Sequence, residues 1–457
     1  MRLFILFIFT PFFLFSQIQI GNDIDGEVAG DRSGYVSFSN DGTIVAIGGP
    51  GNDTTGTDAG YVRVFENVAG NWLQIGSDIN GVAAGDNFGE SVSISGDGNI
   101  IAVGASGNDE TGIEAGHVGV YQNISGTWTQ IGNTIHGDAS NDNFGMAVSL
   151  SDDGTILSIT GQSSSSYTRI YENISGVWTQ VGNDLVGGYD DVNTILSGDG
   201  SVVAISILFY DWIFNVTYNV YFVYKNISGT WTQIGDVLWG GTANSLSLSY
   251  DGLIIALSYW PSRTAVYENI GNVWTQIGRT IGAEGSFNIS SSLSSNGSII
   301  AIGGISSGHE TVDIFRNINN DWIQIGTTIN GNASNDNFGS SLSLSASGNT
   351  VVIGANGYDG NGIDAGHVRV YDLSAVLSTN EYMFSQFKIY PNPAKDQFTI
   401  ELNTSLELQK VNIYSNLGQF IQSSQEHTIV TSNLASGIYY IEVITNKGKA
   451  TKKLILK

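Results

Sequence analysis

The amino-acid sequence predicts an all-β protein: a seven-bladed β-propeller closed by its N-terminal strand, followed by a small C-terminal Ig-like β-sandwich. Three observations lead to this prediction. A tryptophan-centred motif recurs along the chain, short strand patterns surround Asp-Gly turns, and the last repeat lacks its final strand. Repeated strand units of this kind bury their apolar faces only against their neighbours, so they form a closed or stacked array.

The recurring motif is Thr-Trp-Thr-Gln-Ile-Gly at residues 127–132, and the closing glycine of each copy marks one repeat. We interpret the tryptophan as packing between neighbouring blades, where a large aromatic ring fills the gap that widens away from the axis. Contact with a ligand is the alternative. The motif occupies residues 17–21 (without Trp), 72–76, 127–132, 178–182, 231–235, 274–278 and 322–326.

Each repeat is predicted to form one four-stranded antiparallel sheet. In the second repeat, residues 90–95 and 99–104 form a hairpin around Asp97-Gly98, and residues 117–121 pair with residues 127–132. An equivalent inner turn is present in all seven repeats. It carries too few acids to coordinate calcium through alternate positions, so a structural turn is predicted.

Closure of the ring is predicted from the seventh repeat. Residues 338–372 supply three strands but no copy of the motif, whereas residues 17–21 are a motif without a repeat of their own. The N-terminal segment is therefore expected to pair with the strand that ends at Tyr371 and to join the two ends of the ring.

Composition predicts an exported protein without thiol chemistry. The 457 residues include no cysteine, which excludes disulfides, thiol catalysis and Cys-ligated zinc. Residues 1–16 are expected to be a signal peptide cleaved after Ser16, and no other segment is apolar enough to be transmembrane. The net charge of −25 disfavours nucleic acid and favours cations or neutral partners, or it simply keeps an exported protein in solution. A monomer is expected.

The composition changes near residue 375, where the chain becomes richer in lysine. The predicted organisation is a signal peptide over residues 1–16, a propeller over 17–375, a linker over 376–385 and a β-sandwich over 386–457. The last segment contains Tyr390-Pro391-Asn392-Pro393, then turns or strand starts at Gly418 and Gly437, and a lysine-rich end.

This ordered set of motifs resembles the C-terminal sorting domain of Bacteroidetes type IX secretion substrates, and an unrelated Ig-like module is the alternative. The resemblance implies signal-peptide-dependent export to the periplasm and an interaction with the type IX secretion machinery. It further implies passage through the outer membrane, then release or anchoring at the cell surface.

A second resemblance is carried by the starts of three repeats. Residues 87–105 open with Asn-Phe-Gly and continue as strand, Asp-Gly turn and strand, and residues 143–145 and 337–339 repeat the opening. These segments resemble the FG-GAP repeat, the blade unit of integrin-α-type propellers. The resemblance implies a binding or adhesion role for residues 17–375, although the calcium turn of that family, with its several acids, is missing here.

Three matching acidic loops, residues 51–60, 107–116 and 357–366, belong to the first, second and seventh repeats, which closure makes neighbours. With acids in the preceding loops (Asp31, Asp86, Asp142 and Asp336) they predict an acidic crescent for a hard cation, with calcium as the candidate cofactor. The alternative is that these carboxylates close Asx turns. The candidate metal ligands are Asp53, Asp58, Asp109, Glu114, Asp359 and Asp364.

The fourth and fifth repeats carry aromatic residues where others carry the acidic loop. Exposed rings grouped with an arginine suit stacking on a sugar or gripping a peptide, unless they fold inward as a small loop core. The candidate ligand-binding residues are Phe209, Tyr210, Trp212, Trp239, Tyr259, Trp260 and Arg263.

No catalytic residue is predicted, because the five histidines are scattered and no sialidase Asp-box occurs. His117 and His367 share one strand position in two repeats, which marks them as repeat residues. The expected function is non-catalytic binding or adhesion at the cell surface or in the medium, with glycan or a surface protein as partner. A secreted polysaccharide hydrolase or lyase, which needs paired carboxylates near the axis, and a structural surface component are the alternatives.

Overall fold

The computed structural model describes residues 17–162, 165–186, 190–211, 216–241, 245–259, 263–282, 287–306, 309–378, 387–402, 406–416, 419–446 and 448–457. The protein is all-β. Two compact units can be separated, one comprising Ile18–Leu373 and the other beginning at Ser374.

In the described part of the chain, the first unit contains seven antiparallel sheets, numbered here in chain order. Sheet 1 is built from β3 (Tyr35–Phe38), β4 (Ile44–Gly49), β5 (Tyr61–Val68), β6 (Asn71–Gln74) and β7 (Ile79–Asn80). Sheet 2 is built from β8 (Ser91–Ile94), β9 (Ile100–Ala105), β10 (His117–Ile124), β11 (Thr127–Gln130) and β12 (Ile135–His136). Sheet 3 is built from β13 (Val148–Leu150), β14 (Ile156–Gln162), β15 (Ser166–Ile174), β16 (Val177–Gln180) and β17 (Leu185–Val186).

The next sheets follow the same order of strands. Sheet 4 is built from β18 (Asp190–Leu196), β19 (Val202–Asp211), β20 (Val216–Ile227), β21 (Thr230–Gln233) and β22 (Leu238–Trp239). Sheet 5 is built from β23 (Ser245–Leu248), β24 (Ile254–Tyr259), β25 (Arg263–Ile270) and β26 (Val273–Gln276). Sheet 6 is built from β27 (Phe287–Leu293), β28 (Ile299–Ser306), β29 (His309–Asn317) and β30 (Trp322–Asn330). Sheet 7 is built from β31 (Ser341–Leu344), β32 (Thr350–Ala355) and β33 (His367–Asp372), joined by β1 (Ile18–Gln19) and β2 (Ile24–Asp25).

The N-terminal segment completes sheet 7. Strand β1 pairs antiparallel with β33, with Ile18 opposite Asp372 and Gln19 opposite Tyr371. The predicted pairing of residues 17–21 with the strand that ends at Tyr371 is therefore confirmed.

The outer strand of most sheets is bent into two pieces, which the sequence did not predict. Strand β5 pairs with β6 through residues 65–68 and again with the short β7 through residues 61–62. The bend lies at the closing glycine of the motif: Gly76 has a φ of 73°, and a Cβ there would lie 2.7 Å from the carbonyl oxygen of Gly126. Only glycine combines this conformation with so close an approach. The bend places residues after the motif opposite the start of the third strand.

A continuous ring of backbone hydrogen bonds links the inner turns of the seven sheets. Each turn donates an N–H to the next turn, and the last turn donates to the first. The bonds run from Asn40 to Gly96, Gly96 to Asp152, Asp152 to Gly198, Asp199 to Tyr250, Tyr250 to Ser295, Ser295 to Ala346 and Ala346 to Asn40, at 2.8–3.1 Å. The first strands follow the same cycle, since each contacts the first strand of the next sheet and β31 contacts β3.

Serines on the first strands add a second set of links between sheets. The Ser37 hydroxyl accepts a hydrogen bond from the backbone N–H of Ile94 at 3.0 Å. The Ser93 and Ser149 hydroxyls likewise each accept a hydrogen bond from a leucine backbone N–H in the sheet that follows. The small polar residues that alternate with apolar ones in these strands therefore satisfy backbone donors where adjacent sheets approach most closely.

The motif tryptophans connect the outer edges of neighbouring sheets, as the packing interpretation predicted. In five of the six motif tryptophans the indole Nε1–H donates to the isoleucine carbonyl in the preceding copy of the motif, and Trp231 is the exception. The pairs are Trp72 to Ile20 (2.9 Å), Trp128 to Ile75 (2.9 Å), Trp178 to Ile131 (3.2 Å), Trp274 to Ile234 (3.1 Å) and Trp322 to Ile277 (3.0 Å). These rings are structural contacts between repeats.

The apolar core lies between consecutive sheets. Ala46, Val62 and Val64 of sheet 1 pack with Ile101 and Val103 of sheet 2. The phenylalanines of the Asn-Phe-Gly starts are also completely enclosed, as in Phe88, Phe144 and Phe338. Burial of these faces against a neighbour is the main favourable term for each sheet.

The second unit has two antiparallel sheets and a short helix in its described residues. Its elements are α1 (Ser374–Ser378), β34 (Phe387–Tyr390), β35 (Gln397–Leu402), β36 (Leu408–Ser415), β37 (Phe420–Ser424), β38 (Thr428–Val430), β39 (Gly437–Thr445) and β40 (Gly448–Leu456). One sheet has the order β34-β35-β38 and the other β37-β36-β39-β40. Both contribute to one core, which includes Phe387 and Phe398 from the first and Ile413 and Ile441 from the second.

Among the described residues, no helix has both the length and the apolar character needed to cross a membrane.

The tryptophan bonds generate a prediction about stability. Replacing Trp178 by Phe leaves the Ile131 carbonyl without its indole donor. We expect the free energy of unfolding to fall by about 1–2 kcal/mol more than the loss of ring area alone would cause, because a partly buried acceptor loses its partner. Urea denaturation followed by far-UV circular dichroism measures the difference.

Trp231→Phe is the matched control. Trp178 is 4% exposed and Trp231 is 9% exposed, but the Trp231 Nε1 has no hydrogen-bond partner among the described residues. Equal destabilisation by the two substitutions would contradict a contribution from the bond.

Candidate functional site

The aromatic residues of sheet 4 form a platform, defined here as Phe209, Tyr218 and Trp239. Strands β19 and β20 make an extended hairpin in which Phe209 lies opposite Tyr218, and their rings stack with centroids 5.7 Å apart. The Trp239 ring on β22 lies edge-on to both, at 6.3 Å and 5.5 Å. Each ring is thus held in position by the other two.

The platform faces solvent. Trp239 is 58% exposed and Phe209 is 39% exposed, so the rings do not fold inward as a closed loop core. The platform stands at the end of the sheet opposite the Asp199-Gly200 turn, because it lies beside the connection between the second and third strands. Tyr218 is the member that the sequence analysis missed. Its only signal was its position on the far arm of a hairpin longer than those of the other repeats.

The other predicted ligand-binding residues have varied positions. Tyr210 follows Phe209 on β19 and is partly exposed. Tyr259 ends β24 opposite Arg263, which is exposed at the start of β25. Trp212 and Trp260 lie outside the described residues. The structure therefore brings Phe209 and Trp239 together and pairs Tyr259 with Arg263.

The six predicted metal ligands lie in three separate loops, where the first acid of each loop caps its backbone. The Asp53 Oδ1 accepts the N–H of Asp58 at 2.9 Å. The same bond joins Asp109 to Glu114 at 2.7 Å and Asp359 to Asp364 at 2.9 Å. The backbone of the second acid adopts a left-handed conformation in each loop, with φ between 51° and 53°. These bonds span five residues and so are not Asx turns, but they show the carboxylates serving loop geometry, as the alternative proposed, and calcium binding here stays a prediction.

The acids of the preceding loops point inward. Asp31 is fully buried, and its carboxylate accepts hydrogen bonds from the backbone N–H groups of Glu27 and Val28 and from the Asn52 side chain. Asp86, Asp142 and Asp336 accept equivalent backbone bonds. A carboxylate that already caps a loop in this way is not free to line an exposed crescent.

A partly buried polar cluster that the sequence analysis missed lies where the N-terminal strands meet β33. The Arg369 guanidinium donates two hydrogen bonds of 2.9 Å to Asp23, and His367 Nδ1 lies 3.6 Å from the same carboxylate. Asp25 lies opposite His367 in the sheet, and burial raises the pKa of its carboxyl, with the Asp23 charge adding to the effect. A cavity of about 390 Å³ beside the cluster is lined by Asp23, Asp25 and Arg63 among others. The cluster was missed because the extra strand β2 was not predicted.

The sorting motif and the lysine-rich end meet in the second unit. The Asn392 side chain donates to the Lys453 carbonyl at 2.8 Å and accepts the Ile455 N–H at 3.0 Å. Tyr390 and Asn392 line a cavity of about 490 Å³ together with Lys452 and Lys453. Pro391 and Pro393 flank Asn392, Gly437 begins β39, and Gly418 lies outside the described residues. Two distant parts of the sequence motif therefore form one surface.

The buried His367 of this cluster predicts a pH dependence of stability. Burial, followed by the Arg369 charge, lowers the pKa of His367 to about 4, against the opposing effect of Asp23. Since the histidine pKa in an unfolded chain is about 6.5, the unfolded state binds a proton between pH 6.5 and pH 4 that the folded state does not. We expect the free energy of unfolding to decrease as the pH falls through this window, by up to about 3 kcal/mol. Urea denaturation at a series of pH values measures it.

His367→Gln should flatten that part of the profile, since the side chain then has no titrating proton. A pKa near 6.5 for His367, measured by NMR titration, would contradict the prediction.

Comparison with known proteins supplies family assignments for parts of the chain. Residues 80–121 and 328–371 match the FG-GAP repeat, and residues 388–457 match the secretion system C-terminal sorting domain. The chain is 38% identical over 90 residues to an endo-acting ulvan lyase of Formosa agariphila and 35% identical over 89 residues to ulvan lyase NLR42 of Nonlabens ulvanivorans. Each match covers 18% of this chain, and the chain spans only about a sixth of the length of these curated relatives, 17% and 16%.

The sorting domain implies interaction with the type IX secretion machinery. The chain therefore carries FG-GAP repeats and a type IX C-terminal sorting domain, and the sorting domain indicates export to the cell surface or the medium.

Proposed function

We propose that the first unit is a seven-bladed β-propeller closed by its N-terminal strand and that the second is an Ig-like sandwich. The closed cycle of backbone hydrogen bonds between inner turns supports the ring, and the β1–β33 pairing supports its closure. The proposed boundaries are 1–16 for the signal peptide, 17–375 for the propeller, 376–385 for a linker and 386–457 for the sorting domain.

We infer that the protein is a non-catalytic binding or adhesion protein that engages a glycan through the loop face of the propeller. The observation that carries this proposal is the platform of Phe209, Tyr218 and Trp239, with Trp239 58% exposed. Exposed aromatic rings leave apolar surface in water, and a flat sugar face that covers them removes that surface. Because the rings already pack against one another, little conformational entropy is lost on binding.

A glycan is favoured over a protein partner for two reasons. The platform is small and nearly rigid, which suits a ring-sized ligand better than the larger area that a stable protein interface buries. In addition, both curated relatives are named as ulvan lyases, which makes ulvan the first polysaccharide to test.

Substitution of the platform provides the test. We expect Trp239→Ala to weaken binding to the recognised polysaccharide by about tenfold or more, because a central aromatic contact carries a large share of binding energy. Phe209→Ala should weaken it as well by removing the ring that supports Trp239. Affinity electrophoresis in gels containing ulvan or other algal polysaccharides, followed by isothermal titration calorimetry, measures the change.

Tyr250→Ala is the matched control, because Tyr250 is 49% exposed but belongs to the inner turn at the opposite end of its sheet. Binding that survives Trp239→Ala unchanged would refute the platform as the site. A full glycan screen without any binding would refute a glycan ligand and favour a surface protein instead.

A secreted polysaccharide lyase or hydrolase is the second candidate function. Its support is the cavity shared by Asp23, Asp25 and Arg63 and the names of the two curated relatives. Paired carboxylates within one cavity are the arrangement that glycoside hydrolysis uses. The test is whether the protein releases reducing or unsaturated ends from ulvan. Release that is lost in Asp25→Asn would establish catalysis in place of simple binding.

The sorting domain generates a prediction about export. Asn392→Ala removes the two hydrogen bonds that join the motif to residues 453 and 455, leaving backbone groups of the terminal strand unpaired. We expect the protein to accumulate in the periplasm and to decrease in the medium and at the cell surface. Immunoblots of the three fractions measure the change.

Asn416→Ala, at an exposed position of the same unit, is the control and should be exported normally. Normal export of the Asn392 variant would argue against this contact as part of the sorting signal.

A further inference from the structure

Sheet 2 contains a group of three metal-ligating side chains outside both sites described above. They are Glu110, His117 and His136, and each offers a ligand atom within 4.8 Å of the others. His117 and His136 lie directly opposite each other on β10 and β12, with ring centroids 5.9 Å apart. The Glu110 Oε2 lies 4.0 Å from His136 Nδ1. None of these residues belongs to the acidic set predicted from the sequence.

One ring nitrogen of each histidine in this group lacks a hydrogen-bond partner. His117 is 7% exposed, and its Nδ1 is buried without a hydrogen bond. The Nδ1 of His136 is likewise buried and makes no hydrogen bond. A buried polar atom without a partner is costly, so an arrangement with two of them facing one carboxylate calls for a ligand that all three can share.

Comparison with the equivalent positions in other sheets shows which contact is absent when histidine stands in place of tyrosine. Tyr61 in sheet 1 and Tyr167 in sheet 3 stand where His117 stands, and their hydroxyl groups donate to the buried carboxylates Asp31 and Asp142. The shorter His117 makes no such bond to Asp86, which keeps its Asn108 partner. With histidine at this position, the hydrogen bond to the buried carboxylate is absent and the Nδ1 is left without a partner.

The cross-strand partner changes together with this position. At the positions of Tyr61 and Tyr167, near the start of the third strand, the paired residues are Asn80 and Val186. Where it begins with His117, the opposite residue is another histidine, His136. The two imidazoles thus occur as a pair within the repeat array, whereas the tyrosines face residues that do not usually bind metals.

The charge around the group suits a cation. In sheets 1, 3 and 7 an arginine lies two residues after this position, as Arg63, Arg169 and Arg369, and Arg369 neutralises the carboxylate of Asp23. Sheet 2 has Gly119 instead. The group of Glu110, His117 and His136 therefore has a carboxylate and two imidazoles but no strand cation of its own to compete with a metal ion.

We propose that Glu110, His117 and His136 form a binding site for a divalent transition metal ion, with Zn²⁺ as the best match. Imidazole nitrogen and carboxylate oxygen are preferred zinc ligands, whereas Ca²⁺ takes oxygen alone. Tetrahedral zinc places its ligand atoms about 3.4 Å apart, so the three groups close by roughly 1 Å on binding. Glu110 is 65% exposed on its loop and is able to make this movement. Two histidines and one carboxylate leave the fourth position to water.

The test uses the untagged full-length mature chain, stripped with chelator and titrated with zinc chloride by calorimetry. We expect one high-affinity Zn²⁺ per chain. His117→Tyr should weaken binding more than about 100-fold, since removal of even an indirect supporting contact at a metal site costs 10- to 100-fold. This variant copies the tyrosine of sheet 1, where the equivalent Asn52 and Asp31 accommodate it, so it is expected to fold. Glu110→Gln, at an exposed position, is the second variant and should weaken binding about tenfold or more.

His367→Gln is the matched control, because His367 occupies the same strand position in sheet 7 beside Asp23 and Arg369. Zinc binding that is unchanged in this variant and lost in His117→Tyr supports the proposal. NMR spectra of the five histidines give an independent readout, in which only the signals of His117 and His136 should shift with zinc. No saturable zinc binding, shifts confined to other histidines, or binding unaffected by both His117→Tyr and Glu110→Gln would overturn it.

Discussion

The closed cycle of backbone hydrogen bonds between the inner turns is the constraint on which the rest of the first unit depends. Every turn both donates and accepts, so no sheet can shift without disturbing two neighbours. The turn acids hold the backbone in the required shape. Burial would raise the pKa of Asp41, but hydrogen bonds from Thr43 and Ser39 outweigh it and keep that pKa below its ordinary value. Asp97 and Asp153 behave in the same way, and these carboxylates serve the scaffold.

With the inner ends joined by this cycle and the outer edges joined by tryptophan bonds, the opposite loops are free to diverge. The same scaffold position accordingly holds a tyrosine that anchors a loop in sheet 1, Tyr61, and a histidine whose buried Nδ1 has no hydrogen-bond partner in sheet 2, His117. In sheet 4 the hairpin is lengthened and carries the platform of Phe209, Tyr218 and Trp239. Variation at one end of a fixed framework is how repeat proteins acquire binding sites without loss of fold.

Much of the fold could be predicted because the signals are local. Alternating strands, Asp-Gly turns and the lone N-terminal motif were sufficient to assign β1 to the edge of β33. The candidate sites were harder. Phe209 and Trp239 were predicted because the fourth repeat is rich in aromatic residues. Tyr218 lies beside them only because of the pairing register of a long hairpin. The acids of the preceding loops were predicted to join an acidic crescent for a cation, whereas Asp31 and its equivalents are buried and cap their own loops.

The sequence by itself determined the repeat, its spacing, the order of the strands and the C-terminal sorting domain, because each depends on residues close together in the chain. The tertiary structure decided which side chains meet across strands. His117 and His136 are separated by a whole outer hairpin, and they become neighbours only because the closing glycine Gly132, with a φ of 74°, bends the outer strand back onto β10. Hydrophobic periodicity does not reveal a left-handed conformation at a single residue, so the sequence pattern did not predict the strand pairing that follows it.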